Sequence, residues 1–302
     1  AAVGLDEMRG AQIAVKAVNA AGGVNGRKLE LIVEDDQGRA DLSVIRANKL
    51  VSQDKVSAMI ACYGAGAVSY ADLLKKAEVP LFGMIGSAAI TQLGNPYIFR
   101  TALGDPTELE GITDLIRKRG KKRVALIHQG DTMGVGAADV VIKAAAAKGY
   151  EIVADESFSV QANLDLSPQM TRIRSKNPDA IVLWAGAPQS IVALKSMQLL
   201  GMKTQEVYGT PQMTSASVLA AAADSADGTI IVPDVINNVN PDPAHVKFAA
   251  AFRKEFGAPP TTSFAMAGHD SILLIAEALK NTNGEGAKVM ANGQKISNFK
   301  GL

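Results

Sequence analysis

The sequence predicts an α/β protein built on parallel sheets and divided into two lobes. Three observations carry this. Short apolar runs alternate with helical patterns every ~25–30 residues, the signature of parallel sheets covered by helices on both faces. The chain has 302 residues, which is long for a single core. The register restarts after Thr101 and a second crossing falls at Pro233. One lobe is therefore expected to span 1–102 and 233–302, and the other 103–232.

In the first segment, Asp6 to Ala20 carries Met8, Ala11, Val15 and Val18 at spacings of three and four, an amphipathic helix. The run Ala21-Gly22-Gly23-Val24-Asn25-Gly26 stops it, because several positions there tolerate positive φ. Leu29–Glu34 reads as a strand leading into the acidic turn Asp35-Asp36-Gln37-Gly38, and Asp41 is placed to cap a helix from Leu42 to Gln53. Val56–Ala61 is the next strand, Tyr63–Ala67 its loop, and Val68–Glu78 a helix. Val79-Pro80-Leu81-Phe82, bounded by Gly83, ends a buried strand. The small-residue loop Met84–Ala89 follows, and Ser87 is placed to cap a short helical turn toward Thr91. Asn95-Pro96-Tyr97 breaks that turn, and Ile98–Thr101 is extended.

In the second segment, Asp105-Pro106-Thr107-Glu108 starts a helix to about Arg119, with Asp at the cap and Pro at the first helical position. Arg123–His128 is a strand, Gln129–Gly136 its loop, and a helix runs on to Gly149. Ile152–Phe158 is a strand, Ser167-Pro168 opens a helix to Lys176, and Asp179–Trp184 is a buried strand with the loop Ala185-Gly186-Ala187. Pro188 starts a helix that Gly201 ends. Glu206–Gly209 is a short strand, and Thr210–Met213 is the loop before a helix from Ser215. Gly228–Val232 is extended. Helices are expected over Pro243–Phe256 and Thr262–Asn281, and a short strand near Ile296.

Composition excludes several classes. Hydrophobic residues make up 47% of the chain, too many for general disorder. With 31 basic and 30 acidic residues the net charge is +1, and nothing points to nucleic acid. No apolar run reaches the ~18 residues of a membrane span. No leader peptide is visible, an absence that carries no information for a mature or trimmed chain. Cys62, the single cysteine, closes an apolar run and is expected to be buried and unreactive. His128, His245 and His269 have no His or Cys three or four residues away, and His269 suits a surface or interlobe position. There is no G-x-S-x-G elbow and no P-loop. Gly130, Gly134 and Gly136 miss the dinucleotide spacing, so a nicotinamide-dependent oxidoreductase rests on fold class alone. No metal and no cofactor are expected.

In parallel sheets, ligands bind beyond the carboxyl ends of the strands. Here those loops are Tyr63–Ala67, Ile85–Ala89, Gln129–Gly136, Trp184–Pro188 and Thr210–Met213. They are rich in small residues and hydroxyls, lack Lys and Arg, and hold one carboxylate, Asp131. Such loops suit a small ligand held by main-chain N–H groups and hydroxyls against a modest apolar wall. Free N–H groups at Gly86–Ala89 attract an anion. None of the loops pairs a general base with a partner, so none reads as catalytic. Plainer readings stand beside these: Asp131 as a helix cap or turn residue, Trp184 as core at a strand end, Met133 as pocket wall or core.

The run Gly4-Leu5-Asp6-Glu7-Met8-Arg9-Gly10-Ala11-Gln12, then Asn19–Lys28 and Glu34-Asp35-Asp36, resembles the start of type I periplasmic solute-binding proteins. The branch is that of branched-chain or hydrophobic amino-acid receptors of ABC importers, and Asn95–Arg100 and Asn177–Ala180 also fit. The resemblance implies two Rossmann-like lobes joined by a hinge of three crossovers, closing over a ligand in the cleft between them. It implies a permease and ATPase complex as partners. The location would be periplasmic, or extracellular and lipid-anchored in a Gram-positive source. A ligand-sensing regulatory module of the same fold is the alternative. Carried onto this chain, the first-lobe site is Tyr63, Gly64, Ala65, Gly86, Ser87, Ala88 and Ala89, with Ser87 foremost for a ligand carboxylate. The second-lobe site is Asp131, Met133, Trp184, Gly186 and Gln212.

The chain also departs from the family. Asp131-Thr132-Met133-Gly134 stands where Asp-Tyr-Gly or Asp-Phe-Gly is usual, and Ala185 and Ala187 stand where tyrosines occur. Gln212 offers an amide where amino-acid binders tend to have a carboxylate. A neutral amide pairs less well with a buried ammonium than a charge-assisted contact does. An aromatic, keto or hydroxy acid therefore competes with an α-amino acid as ligand, and an amide or urea-like molecule is a third class. The family begins with a strand just before Ala1 and continues past Asn298–Gly301, so a trimmed domain is expected. A first-lobe sheet without that strand would lack a central member.

Overall fold

The computed structural model describes residues 2–159, 164–231 and 242–302. The expected crossing at Pro233 lies outside the described residues. The chain forms two compact units, Ala1–Leu103 with Val235–Leu302, and Gly104–Asp234.

Unit 1 contains α1 (Ala2–Ala20), α2 (Ala40–Ser52), β1 (Met59–Ala61), α3 (Gly64–Ala77), β2 (Leu81–Gly83), α4 (Ala89–Gln92) and β3 (Ile98–Arg100) before the chain enters unit 2. Unit 2 contains α5 (Asp105–Lys118), β4 (Arg123–Gln129), α6 (Thr132–Lys148), β5 (Glu151–Phe158), α7 (Ser167–Ser175), β6 (Ala180–Trp184), α8 (Ala187–Leu199), β7 (Glu206–Gly209), α9 (Ala216–Ala226) and β8 (Ile230–Ile231). The chain then completes unit 1 with α10 (Pro243–Phe256), α11 (Phe264–Ala278) and α12 (Gly286–Gly293).

Unit 2 is a five-stranded parallel sheet in the order β5-β4-β6-β7-β8. Alternation along each strand builds two cores. Ala125, Ile127, Ile181, Leu183 and Val207 face α7, α8 and α9. Val124, Leu126, Ala180, Val182 and Trp184 face α5 and α6. The sheet grows from β4 outward in both directions, so the topological switch lies between β4 and β6. In open parallel sheets that is where ligands bind.

Unit 1 pairs β1-β2-β3, all parallel. Its helix layer is set by close backbone approach. A Cβ on Gly10 would meet the Ala265 carbonyl oxygen at 1.7 Å, and one on Gly268 the Glu7 carbonyl oxygen at 2.2 Å. Only glycine lets α1 and α11 pack at this distance. Asp6 then ties α1 to the start of α11, its Oδ2 accepting from the backbone N–H and the hydroxyl of both Thr261 and Thr262 at 2.8–3.0 Å.

Several expectations are corrected. Leu29–Glu34 forms no ladder. It flanks β1 across open space instead of pairing with it: one cavity of about 370 Å³ is lined by 28–32 and 54–60, and a second of about 520 Å³ by 31–36 and 59–63. A ladder needs a neighbour within ~5 Å, and that edge is not in reach. Gly64–Ala67 is the first turn of α3, not a loop, and Thr132–Gly136 is the first turn of α6. Ser87 is not a cap: α4 starts after Ala88, with no side-chain capping bond. Gly104 takes the cap position of α5 expected for Asp105. Residues around Ile296 form no strand, and α12 lies just before them.

Candidate functional site

In unit 1, β1 and β2 end side by side, Ala61 opposite Gly83. Tyr63 then takes the cap position of α3, its backbone extended, and the first helical bond runs from the Ala67 N–H to the Tyr63 carbonyl. This leaves the early N–H groups of α3 without intrahelical acceptors. After β2, Met84 and Ile85 turn into the core, at 4% and 2% exposure, and Gly86–Ala89 stay half-buried at the rim. The two loops meet at Gly64, where a Cβ would lie 3.2 Å from Ile85 Cγ2 and 3.9 Å from Ser87 Cβ. The predicted residues Gly64 and Ser87 are therefore neighbours. The Ser87 hydroxyl makes no hydrogen bond to the described residues, and Arg100 Nη1 donates to the Gly86 carbonyl at 3.4 Å. Arg100 escaped the sequence reading because it sits on β3 rather than in a loop.

Below this rim lies Glu7, 6% exposed, whose Oε1 has no partner among the described residues. Burial raises its pKa to about 7, against a bond from Cys62 that lowers it and with the charge of Asp36 adding to the rise. Burial, then Glu7, also raises the Cys62 thiol well above its ordinary range, so it stays a protonated, poor nucleophile.

In unit 2 the rim is built where β4, β6 and β7 end. Asp131 caps α6, its Oδ1 accepting from the Gly134 N–H at 3.0 Å, while its Oδ2 accepts from Gln129 Nε2 at 3.0 Å. Gly134 must be glycine here, since a Cβ would lie 1.9 Å from the Gln129 carbonyl oxygen. Gln129 Oε1 accepts from the Gly186 N–H at 2.5 Å, joining the ends of β4 and β6. The Thr210 and Ser190 hydroxyls both donate to the Ala185 carbonyl, at 3.0 and 3.2 Å, and fix the turn that precedes Gly186. His128 donates from Nδ1 to the Gln129 carbonyl at 2.7 Å, and its Nε2 lies 3.2 Å from Asp155 Oδ1.

The structure thus gathers Asp131, Gly186 and Gln212 at one rim. Trp184 is 2% exposed and belongs to the core facing α5 and α6, as its place in the strand alternation requires, and its indole N–H has no partner among the described residues. Met133 packs half-buried against the same core. Gln129 and Gln189 are not among the predicted site residues, although Gln129 opens the predicted loop Gln129–Gly136 and Gln189 follows the loop Trp184–Pro188. Their only sequence signal was an amide next to a strand end. Among the described residues no group of three or more His, Cys, Asp or Glu could hold a metal ion, and no helix is long and apolar enough to cross a membrane.

A family model described as periplasmic binding protein matches residues 1–302. An "amino acid binding protein" of Pseudomonas aeruginosa is 26% identical over 299 residues, covering 95% of this chain and 76% of that one. A solute-binding protein of an ABC transporter from Rhodopseudomonas palustris, solved in complex with 3,4-dihydroxybenzoic acid, is 28% identical. It superposes with a TM-score of 0.84 over 95% of this chain and 79% of its own. The branched-chain amino acid substrate-binding protein LivJ of Streptococcus pneumoniae, solved with isoleucine, shares the fold, with a TM-score of 0.88, 24% identity, and coverage of 100% of this chain and 86% of that chain.

Proposed function

The chain belongs to the periplasmic binding protein family, and we propose that it is the extracytoplasmic solute receptor of an ABC importer. Its ligand is a small carboxylate-bearing molecule: a hydrophobic amino acid or a related aromatic, keto or hydroxy acid. The ligand's carboxylate is held at the unit 1 rim. Binding shifts the open–closed equilibrium, and the closed form docks on a permease whose ATPase drives import. The working compartment is the periplasm or its extracellular equivalent.

One observation carries the reading. The amino terminus of α3 and the unpartnered Ser87 hydroxyl stand together at the unit 1 rim, Gly64 beside Ser87. Main-chain donors at a helix start, with a hydroxyl alongside, make a cradle for a carboxylate. Among the described residues the one thiol near a rim, Cys62, is held protonated beside Glu7 and is a poor nucleophile, which fits binding and release rather than catalysis. The relatives support the ligand class: the Pseudomonas aeruginosa protein is named for amino acids, and the Rhodopseudomonas palustris protein holds an aromatic acid.

A thermal-shift screen tests this, over branched-chain and aromatic amino acids, their keto and hydroxy analogues, and benzoate-type acids. A ligand that binds only the folded state adds about 2.7 kcal/mol at a hundred times its Kd. At least one of these acids is expected to raise the melting temperature. A rise with NADH and with none of the acids would contradict the proposal.

A further inference from the structure

The unit 2 rim concentrates uncharged amides on one bare stretch of backbone. A Cβ on Gly186 would lie 2.9 Å from Gln189 Oε1, 3.2 Å from Gln129 Oε1 and 3.5 Å from Gln212 Oε1. These amides come from the first turn of α8, the end of β4 and the 3-10 turn Pro211–Thr214 after β7. Gln129 is buried and engaged at both ends, by the Gly186 N–H and by Asp131. Gln189 and Gln212 are half-buried, and their amides make no hydrogen bond to the described residues. Among the described residues the carboxylate at this rim is Asp131, with one oxygen committed to the α6 N-terminus and the other to Gln129.

From this convergence we propose that Gln189 and Gln212, set by Gln129 around Gly186, take a hydroxyl of the ligand and discriminate against an ammonium. The inference rests on the receptor reading and narrows it to an amine-free hydroxy acid. The oxygens of these amides face Gly186 and accept from a hydroxyl, whereas a keto oxygen has no proton to give them. An ammonium brought to the same place is desolvated with no free carboxylate to compensate it. Gly186 is part of the recognition because a side chain here would crowd the amide oxygens gathered around it. Its φ of −63° and ψ of 163° are open to any residue, so Gly186→Ala displaces the amides without backbone strain.

Isothermal titration of the whole chain with L-leucine, 2-hydroxy-4-methylpentanoate and 3,4-dihydroxybenzoate tests this. The first two differ only in the amine or hydroxyl next to the carboxylate. At least one amine-free acid is expected to bind about tenfold or more tightly than leucine, the scale of one hydrogen bond to a charged group. Gln212→Glu is expected to close or reverse that gap, and Gly186→Ala to weaken the amine-free acids while the melting temperature of the free protein holds. Tighter binding of leucine by the unmodified chain, abolished by Asp131→Asn, would overturn the inference and leave the receptor reading standing. An unchanged ranking in Gln212→Glu and Gly186→Ala would also overturn it. Heat from none of the three acids would overturn both.

Discussion

Unit 2 pairs five strands into one sheet with a packed core on each face, whereas unit 1 pairs three short strands and leaves Leu29–Glu34 alongside β1 without a ladder. The two units reach order by different means. Unit 2 relies on strand alternation, every other residue of β4 and β6 going to one core. Unit 1 relies on helix against helix, with Gly10 and Gly268 letting α1 and α11 touch backbone to backbone. It also tolerates a buried carboxyl, Glu7, beside an open cavity. The lesson is that the sheet stabilises one unit and mainly the helix layer the other.

That contrast can be broken by mutation, because damage should stay in the unit where it is made. The largest effect is expected from Ile127→Ala. Ile127 is fully buried in β4, and such truncations cost about 2–5 kcal/mol. Denaturant unfolding followed by hydrogen exchange should show unit 2 weakened and α1 and α11 unaltered. Equal weakening of both units would break the comparison.

Next comes the pH dependence of unit 1. The folded pKa of Glu7, about 7, lies above its ordinary 4.5. The folded state therefore binds the proton more tightly than the unfolded one. Stability is greatest at or below pH 4.5, falls as pH rises toward 7, and levels off above it. The shift corresponds to on the order of 3 kcal/mol. Glu7→Gln is expected to flatten this slope between pH 4.5 and 7, read from melting temperatures. An unchanged slope would remove Glu7 as its source.

Gly268→Ala sharpens the same point at smaller scale. Its methyl would overlap the Glu7 carbonyl, and overpacking of this kind costs about 1–3 kcal/mol. Loss confined to unit 1 is expected in chemical denaturation; no loss would show that the helix layer yields easily. Smallest is Asp131→Ala, which removes the α6 cap in unit 2 at a cost of about 1 kcal/mol. Calorimetric unfolding would show it as a slight drop, and a drop several times larger would mean that the bond to Gln129 matters more than the cap.

The legibility of the sequence follows the same division. Unit 2 was readable almost strand for strand, since runs such as Ile181–Trp184 and Val124–His128 are long, apolar and bounded by turn residues. Unit 1 was harder. Leu29–Glu34 has a strand's pattern, but pairing depends on an edge that local sequence does not reveal. The small residues Gly64–Ala67 read as a loop, yet the helix of unit 1 begins there because Tyr63 takes the cap. The rims were legible as loops at strand ends, and Asp131 was legible as a cap. The convergence of Gln129, Gln189 and Gln212 was not, because Gln129 lies 60 and 83 positions from the other two and they meet only once the sheet order brings β4, β6 and β7 together.

The central claim is that the unit 1 rim, where the first turn of α3 meets Ser87, holds the carboxylate of a small acid. Hydrogen exchange with and without a saturating acid tests it most directly, read at the amides of Gly64, Ala65 and Gly86–Ala89. The account expects exchange to slow at these amides, and the slowing to be reduced most by Ser87→Ala. Unchanged exchange there with an acid that binds the chain would contradict it.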